Sequence, residues 1–238
     1  MRHIGILQTG RTNPELKPAQ PDYPSLFEDL LVHTDTAHPL KLTTIPVLDG
    51  VFPEHIDAYD GYIITGSKFG VYEDHDWLPP LMDFINRCDA AEKKMVGICF
   101  GHQAIAKALG AEVVKSTKGW GAGVKEMRIS AKADFMQPAL AALNLIYMHQ
   151  DQVQNLPEGA TKLTGNDFCP IAGMVKGAHI FTLQGHPEFT QSYTTPLYQL
   201  RANDMAEGQA INAIKSLNNN QDGRIVAQWI GRFFYDAA

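Results

Sequence analysis

Short apolar runs alternate with amphipathic stretches through the first half of the chain. His3–Leu7, Leu42–Val47, Tyr62–Thr65 and Met95–Ile98 are dominated by aliphatic and β-branched residues and predict strands. Helical patterns lie between them. Tyr23–His33 sets Leu26, Phe27, Leu30 and Leu31 on one face, and Trp77–Arg87 repeats its apolar residues at helical spacing through Leu81, Phe84 and Ile85. Strands separated by helices imply βαβ units, hence a three-layer α/β fold with a mostly parallel central sheet.

The character changes between Ala111 and Leu183. Glu112–Val114, Val124–Ile129, Leu145–Met148 and Ile180–Leu183 are short strand patterns joined by glycine and proline turns, which predicts a small antiparallel extension of the sheet. Gly119-Trp120-Gly121-Ala122-Gly123 reads as a turn between strands, because no helical pattern or Lys-Ser follows to make it a phosphate cradle. Pro196–Leu217 and Arg224–Tyr235 predict closing helices, the second with a core stripe of Trp229, Ile230, Phe233 and Phe234. The polar stretch Asn218–Gly223 is too short to mark a boundary, so residues 1–238 are read as one domain.

Composition narrows the function classes. The 238 residues carry a formal net charge of -6, which disfavours a general nucleic-acid or anionic-membrane surface. No apolar run approaches the roughly 18–20 residues needed to span a bilayer. Met1–Leu7 reads as a first strand rather than a signal peptide. Three cysteines, an odd number without framework spacing, suit a reducing cytosol, and a cytoplasmic enzyme is the expectation.

The chemistry concentrates at Gly97-Ile98-Cys99-Phe100-Gly101-His102-Gln103, where a cysteine between two glycines marks a strand-to-helix junction. Such a turn pushes its side chain above the carboxyl edge of the sheet, and the new helix aims free N–H groups at the sulfur. That field favours thiolate, the nucleophilic form. A base is supplied by Gln184-Gly185-His186-Pro187-Glu188. Pro187 biases His186 toward extended geometry, so residues two apart share a side and Glu188 can orient the imidazole. Oxyanion donors are expected from the Phe100 N–H and from Gly66 or Ser67 at the end of the Tyr62–Thr65 strand. Cys88 and Cys169 are read as buried hydrophobes, His33, His38 and His179 as structural or exposed, His102 as packing or capping locally, and Glu73-Asp74-His75-Asp76 as a solvated loop rather than a metal site.

These motifs, with Thr65-Gly66-Ser67 upstream and Met148-His149-Gln150-Asp151 downstream, resemble those of the class I (triad-type) glutamine amidotransferases, in the family's order. The resemblance implies that family's flavodoxin-like fold and a Cys99–His186–Glu188 triad. It implies attack on the γ-amide of glutamine through a γ-glutamyl thioester, ammonia leaving before water releases glutamate. It also implies that Gly66, Phe100 and Gln103, with Gln150 and Asp151, touch a small-molecule substrate, without metal or cofactor. Relatives of this kind include the glutaminase half of GMP synthetase and γ-glutamyl peptidases acting on glutathione-like compounds. The activity expected is therefore hydrolysis of glutamine or of a γ-glutamyl bond. The alternatives are an ammonia-producing subunit serving a separate synthetase, since the chain has no Gly-x-x-x-x-Gly-Lys-Ser/Thr loop, a γ-glutamyl peptidase acting on glutathione-like compounds, and an inactive regulatory module.

Overall fold

The computed structural model describes residues 1–16, 19–32 and 37–236. The strands and helices in chain order are β1 (Arg2–Leu7), α1 (Tyr23–Val32), β2 (Leu40–Ile45), β3 (Gly61–Ile64), α2 (Leu78–Ala90), β4 (Lys94–Ile98), α3 (Phe100–Ala108), β5 (Val113–Lys115), β6 (Gly121–Ile129), β7 (Ala142–His149), β8 (Asp151–Val153), β9 (Ala160–Gly165), β10 (Gly173–Lys176), β11 (Ile180–Leu183), α4 (Gln191–Leu200), α5 (Gln209–Ser216) and α6 (Gly223–Tyr235).

One nine-stranded sheet runs in the order β2-β1-β3-β4-β11-β10-β9-β6-β7, and β5 pairs with β8 in a separate ribbon. The strands from β2 to β11 are parallel to one another; beyond β11 every pairing is antiparallel. The antiparallel part is thus larger than the small extension expected.

The parallel strands are covered on both faces, which is why they read as apolar runs rather than alternating ones. Ile4, Ile6, Ile63, Val96, Ile98 and Phe181 pack with Phe27 of α1 and Trp229, Ile230 and Phe233 of α6. On the other face Leu7, Tyr62, Ile64 and Met95 pack with Leu81, Phe84 and Ile85 of α2 and Ala104 and Ile105 of α3. Burying one such side chain fully contributes on the order of 1.5–3 kcal/mol, so these two cores fix the sheet and everything at its edge.

Two expectations need correction. The Pro196–Leu217 pattern is not one helix. α4 begins earlier, where the Thr190 hydroxyl caps it by accepting the Tyr193 N–H. Pro196 sits inside this helix, and the Ser192 carbonyl it deprives of a partner accepts instead from Gln20 Nε2 at 3.1 Å. Gly208, with φ of 73°, then separates α4 from α5. Likewise Gly121–Gly123 belong to β6 rather than to a turn. Gly123 holds a positive φ of 91° within that strand, and its N–H donates to the Tyr198 hydroxyl of α4 at 2.7 Å.

Candidate active site

Three consecutive parallel strands, β3, β4 and β11, end side by side, and the loops leaving them form the site. β4 runs straight into Cys99, whose φ of 54° and ψ of -102° are strained for any residue with a Cβ. Two backbone bonds hold it there: its N–H donates to the Leu183 carbonyl at 2.8 Å, and its carbonyl accepts the Gln103 N–H at 3.2 Å. A Cβ on Gly97 would stand 2.5 Å from the Gly101 carbonyl oxygen, and one on Gly101 would run into that of Ile64. Only glycine at both positions lets α3 leave β4 so steeply. Phe100 opens α3, so its N–H has no acceptor within the helix.

β11 delivers the second half. The His186 N–H donates to Ile146 of β7 at 2.8 Å, while Gly185 lies too close to Tyr147 and Leu145 for any side chain. The imidazole Nδ1 stands 2.7 Å from Glu188 Oε1, with both side chains buried. Phe189 stacks flat on the ring, centroids 3.8 Å apart and planes 8° from parallel. Burial opposes a charge on His186, but the Glu188 carboxylate and Cys99 outweigh it and raise the ring to about 10. Glu188 Oε2 is buried with no hydrogen-bond partner among the described residues, so the imidazolium serves as the counter-charge of this carboxylate.

The third loop brings Gly66 against both groups: a Cβ there would lie 3.0 Å from His186 Cε1 and 3.8 Å from Cys99 Cβ. The Ser67 hydroxyl donates to the Thr9 carbonyl at 2.7 Å and accepts the Phe69 N–H, so it shapes the loop and leaves backbone to face the site. Gln103 Nε2 donates to the Asp151 carbonyl and to Gln184 Oε1, each at 3.0 Å, and Gln184 Nε2 points at the Cys99 sulfur from 3.5 Å. Phe100 turns its ring away toward Trp77, centroids 5.7 Å apart. Cys99, His186, Ser67, Gln103, Gln150 and Asp151 line one cavity of about 180 Å³.

A cysteine at a steep strand-to-helix turn, beside a carboxylate-backed histidine, leaves the family to be decided by comparison. The model of the glutamine amidotransferase class-I family matches residues 27–199. The chain belongs to that family. This family member is 32% identical to gamma-glutamyl peptidase 3 of Arabidopsis thaliana over 79% of this chain and 80% of that protein. It is 31% identical to a subunit of the glutamine-hydrolyzing GMP synthase of Archaeoglobus fulgidus over 58% of this chain and 72% of that one. A crystal structure of a glutamine amidotransferase from Thermotoga maritima superposes with a TM-score of 0.78 at 18% identity, covering 99% of both chains, which establishes the fold.

Other residues of this amidotransferase-family chain sort cleanly. Burial pushes the thiols of Cys88 and Cys169 up to about 12, so both stay protonated. His102 is buried under α3, where its ring nitrogens meet Thr182 Oγ1 at 2.7 Å and the Ile171 carbonyl at 3.2 Å. His179 bonds Asp89 at 2.9 Å and His38 packs edge-on to Tyr235, whereas His33 lies outside the described residues. His75 is not simply solvated: it stacks on Trp77 and bonds Glu73 at 2.9 Å. Tyr23, Tyr72, Trp120, Leu197 and Arg201 also wall the cavity, and the sequence pattern did not name them as site residues. Each lies on an element whose place above the site depends on tertiary packing, and none stands in a recognisable motif.

Proposed function

We propose that this protein hydrolyses the γ-amide of glutamine or a γ-glutamyl bond through a thioester on Cys99. The observation that carries this reading is the 2.7 Å His186–Glu188 pair set against a strained cysteine at the head of α3. The Cys99 thiolate attacks the γ-carbonyl carbon, and the oxyanion accepts the N–H of Phe100 together with one from the Gly66–Ser67 loop. His186 then gives its proton to the departing nitrogen, which leaves as ammonia or amine. The neutral ring next takes a proton from water, hydroxide adds to the thioester, and glutamate departs as the sulfur is freed. Glu188 stabilises the ring while it is charged. Loss of one oxyanion donor is expected to remove about 3–4 kcal/mol of transition-state stabilisation.

Similarity to the archaeal GMP synthase subunit supports a second reading, in which the ammonia passes to a separate synthetase. The intact pairing around Cys99 argues against an inert module. Incubating the purified protein with glutamine and with γ-glutamyl dipeptides tests both active readings. Release of glutamate from the protein alone is expected. Turnover that appears only when a synthetase is added would transfer the assignment to the second reading.

A further inference from the structure

The cavity has two chemically different ends. One end is built from β5, β8 and the loop after β3. There Asp151, opposite Lys115 in the β5–β8 ribbon, accepts the Tyr72 hydroxyl at 2.9 Å, with Glu73 and Lys68 nearby in the lining. Charges of both signs at this end suit the α-ammonium and α-carboxylate of a γ-glutamyl group. Gln103 and Gln184 connect this end to the sulfur. The other end is built from α4 and the start of β6. Leu197 and Arg201, one turn apart, join Trp120 there, and Trp120 Nε1 donates to the Asp204 carbonyl at 2.9 Å. His186 belongs to this side, because Phe189, stacked on its ring, packs on Tyr193 of α4 with centroids 4.8 Å apart.

This arrangement assigns a direction to the substrate, given the hydrolase reading above. The acyl group stays on the sulfur, toward Gln103 and Asp151. The departing nitrogen must face the imidazole that protonates it, so whatever that nitrogen carries extends toward α4. Ammonia carries nothing and would leave this end of the cavity unused. We propose that Trp120, Leu197 and Arg201 form a leaving-group subsite, in which Arg201 receives a carboxylate borne by the departing amine. The preferred substrates are then γ-glutamyl peptides whose leaving group is an amino acid or short peptide. Arg201 suits this role: among the described residues only its Nη1 is engaged, by Asp204 Oδ2 at 3.0 Å, which orients the guanidinium and leaves its other N–H groups to grip a carboxylate. Trp120 and Leu197 cover the apolar part of the amine. A second hollow continues beyond Trp120 and Gln150 with Lys118 and Lys125 on its wall, room for a longer leaving group.

Three substrates with the same acyl group separate the contributions: γ-glutamyl-glycine, γ-glutamyl-methylamide and glutamine. The wild type is expected to show a kcat/KM at least about tenfold higher for γ-glutamyl-glycine than for the methylamide. Arg201→Gln should remove that preference by raising KM for γ-glutamyl-glycine far more than for the other two substrates, and Arg201→Lys should restore part of it. An equal loss on all three substrates, or a wild type indifferent to the carboxylate, would overturn the subsite while leaving the hydrolase reading intact. A thermal unfolding midpoint close to wild type shows that Arg201→Gln folds. Should none of the three acylate Cys99, the hydrolase reading itself fails, and the subsite with it.

Discussion

Gln184 places its amide nitrogen 3.5 Å from the sulfur of Cys99 while its oxygen accepts from Gln103 at 3.0 Å. The bond to Gln103 fixes which end of the Gln184 amide faces the sulfur, so the sulfur receives a side-chain donor in addition to the helix end. A hydrogen bond to a charged group is worth about 1.5–3 kcal/mol. Gln184→Leu is therefore expected to lower kcat/KM by about tenfold to a hundredfold. An unchanged kcat/KM would count against this role.

Cys99, the proposed nucleophile, also carries backbone strain, because φ of 54° with ψ of -102° is a conformation only glycine adopts easily. Cys99→Ala should abolish turnover with the fold retained. Cys99→Gly should be equally inactive yet unfold at a higher temperature than Cys99→Ala, by the strain of order 1 kcal/mol or more that it relieves. Calorimetry of the two variants checks the ordering.

Removing the charge behind the imidazole has a sign that can be worked out. Glu188 and Cys99 raise His186 to about 10, so the ring is protonated at neutral pH and loses its proton as pH rises through that value. Glu188→Gln keeps an acceptor but not the charge, so the alkaline limb of the rate profile should shift to lower pH and kcat/KM should fall by about a hundredfold. A variant with the wild-type alkaline limb would contradict the pairing.

Acid should destabilise the fold through two other histidines. Burial lowers His102 and His149 to about 4 from the ordinary 6.5. Between those values the unfolded chain binds protons that the native state does not, so stability falls as pH drops from about 6.5 toward 4. His102→Asn should flatten the dependence of the unfolding midpoint on pH across this window, even though it lowers stability at pH 7. Urea unfolding at several pH values measures both effects.

Gly101→Ala is expected to be among the most damaging single-methyl changes in the chain. Its Cβ would press into the backbone carbonyl of Ile64, and neither β3 nor α3 has room to give. Overpacking of this kind costs about 1–3 kcal/mol, and the helix shift that relieves it also moves the sulfur. Both stability and activity should fall. The contrast is Gly110→Ala, where nothing crowds the added methyl and only the left-handed φ of 92° opposes it.

The sequence discloses much of this wherever a local pattern has one physical meaning. The apolar runs of β1, β3, β4 and β11 could only be buried strands, and two glycines around one cysteine could only serve a steep turn. Legibility ended where long-range contacts decide. β8 (Asp-Gln-Val) is a strand because β5 pairs with it, and β9 and β10 mix Lys, Thr and Gly with few apolar residues. The break at Gly208 and the tolerance of Pro196 depend on Gln20 and on α5 packing against β6. Arg201 and Trp120 join the cavity only through those contacts, which is why no motif announced them.

β11 stands at the seam where the parallel strands give way to antiparallel ones, hydrogen-bonded to β4 on one side and β10 on the other. A chain emerging from the ribosome has made Cys99 long before this strand exists. Until then the thiol has neither His186 nor the Leu183 carbonyl that fixes its backbone. One late strand therefore joins the two halves of the sheet, anchors the turn that holds the cysteine and leads into the histidine beside it.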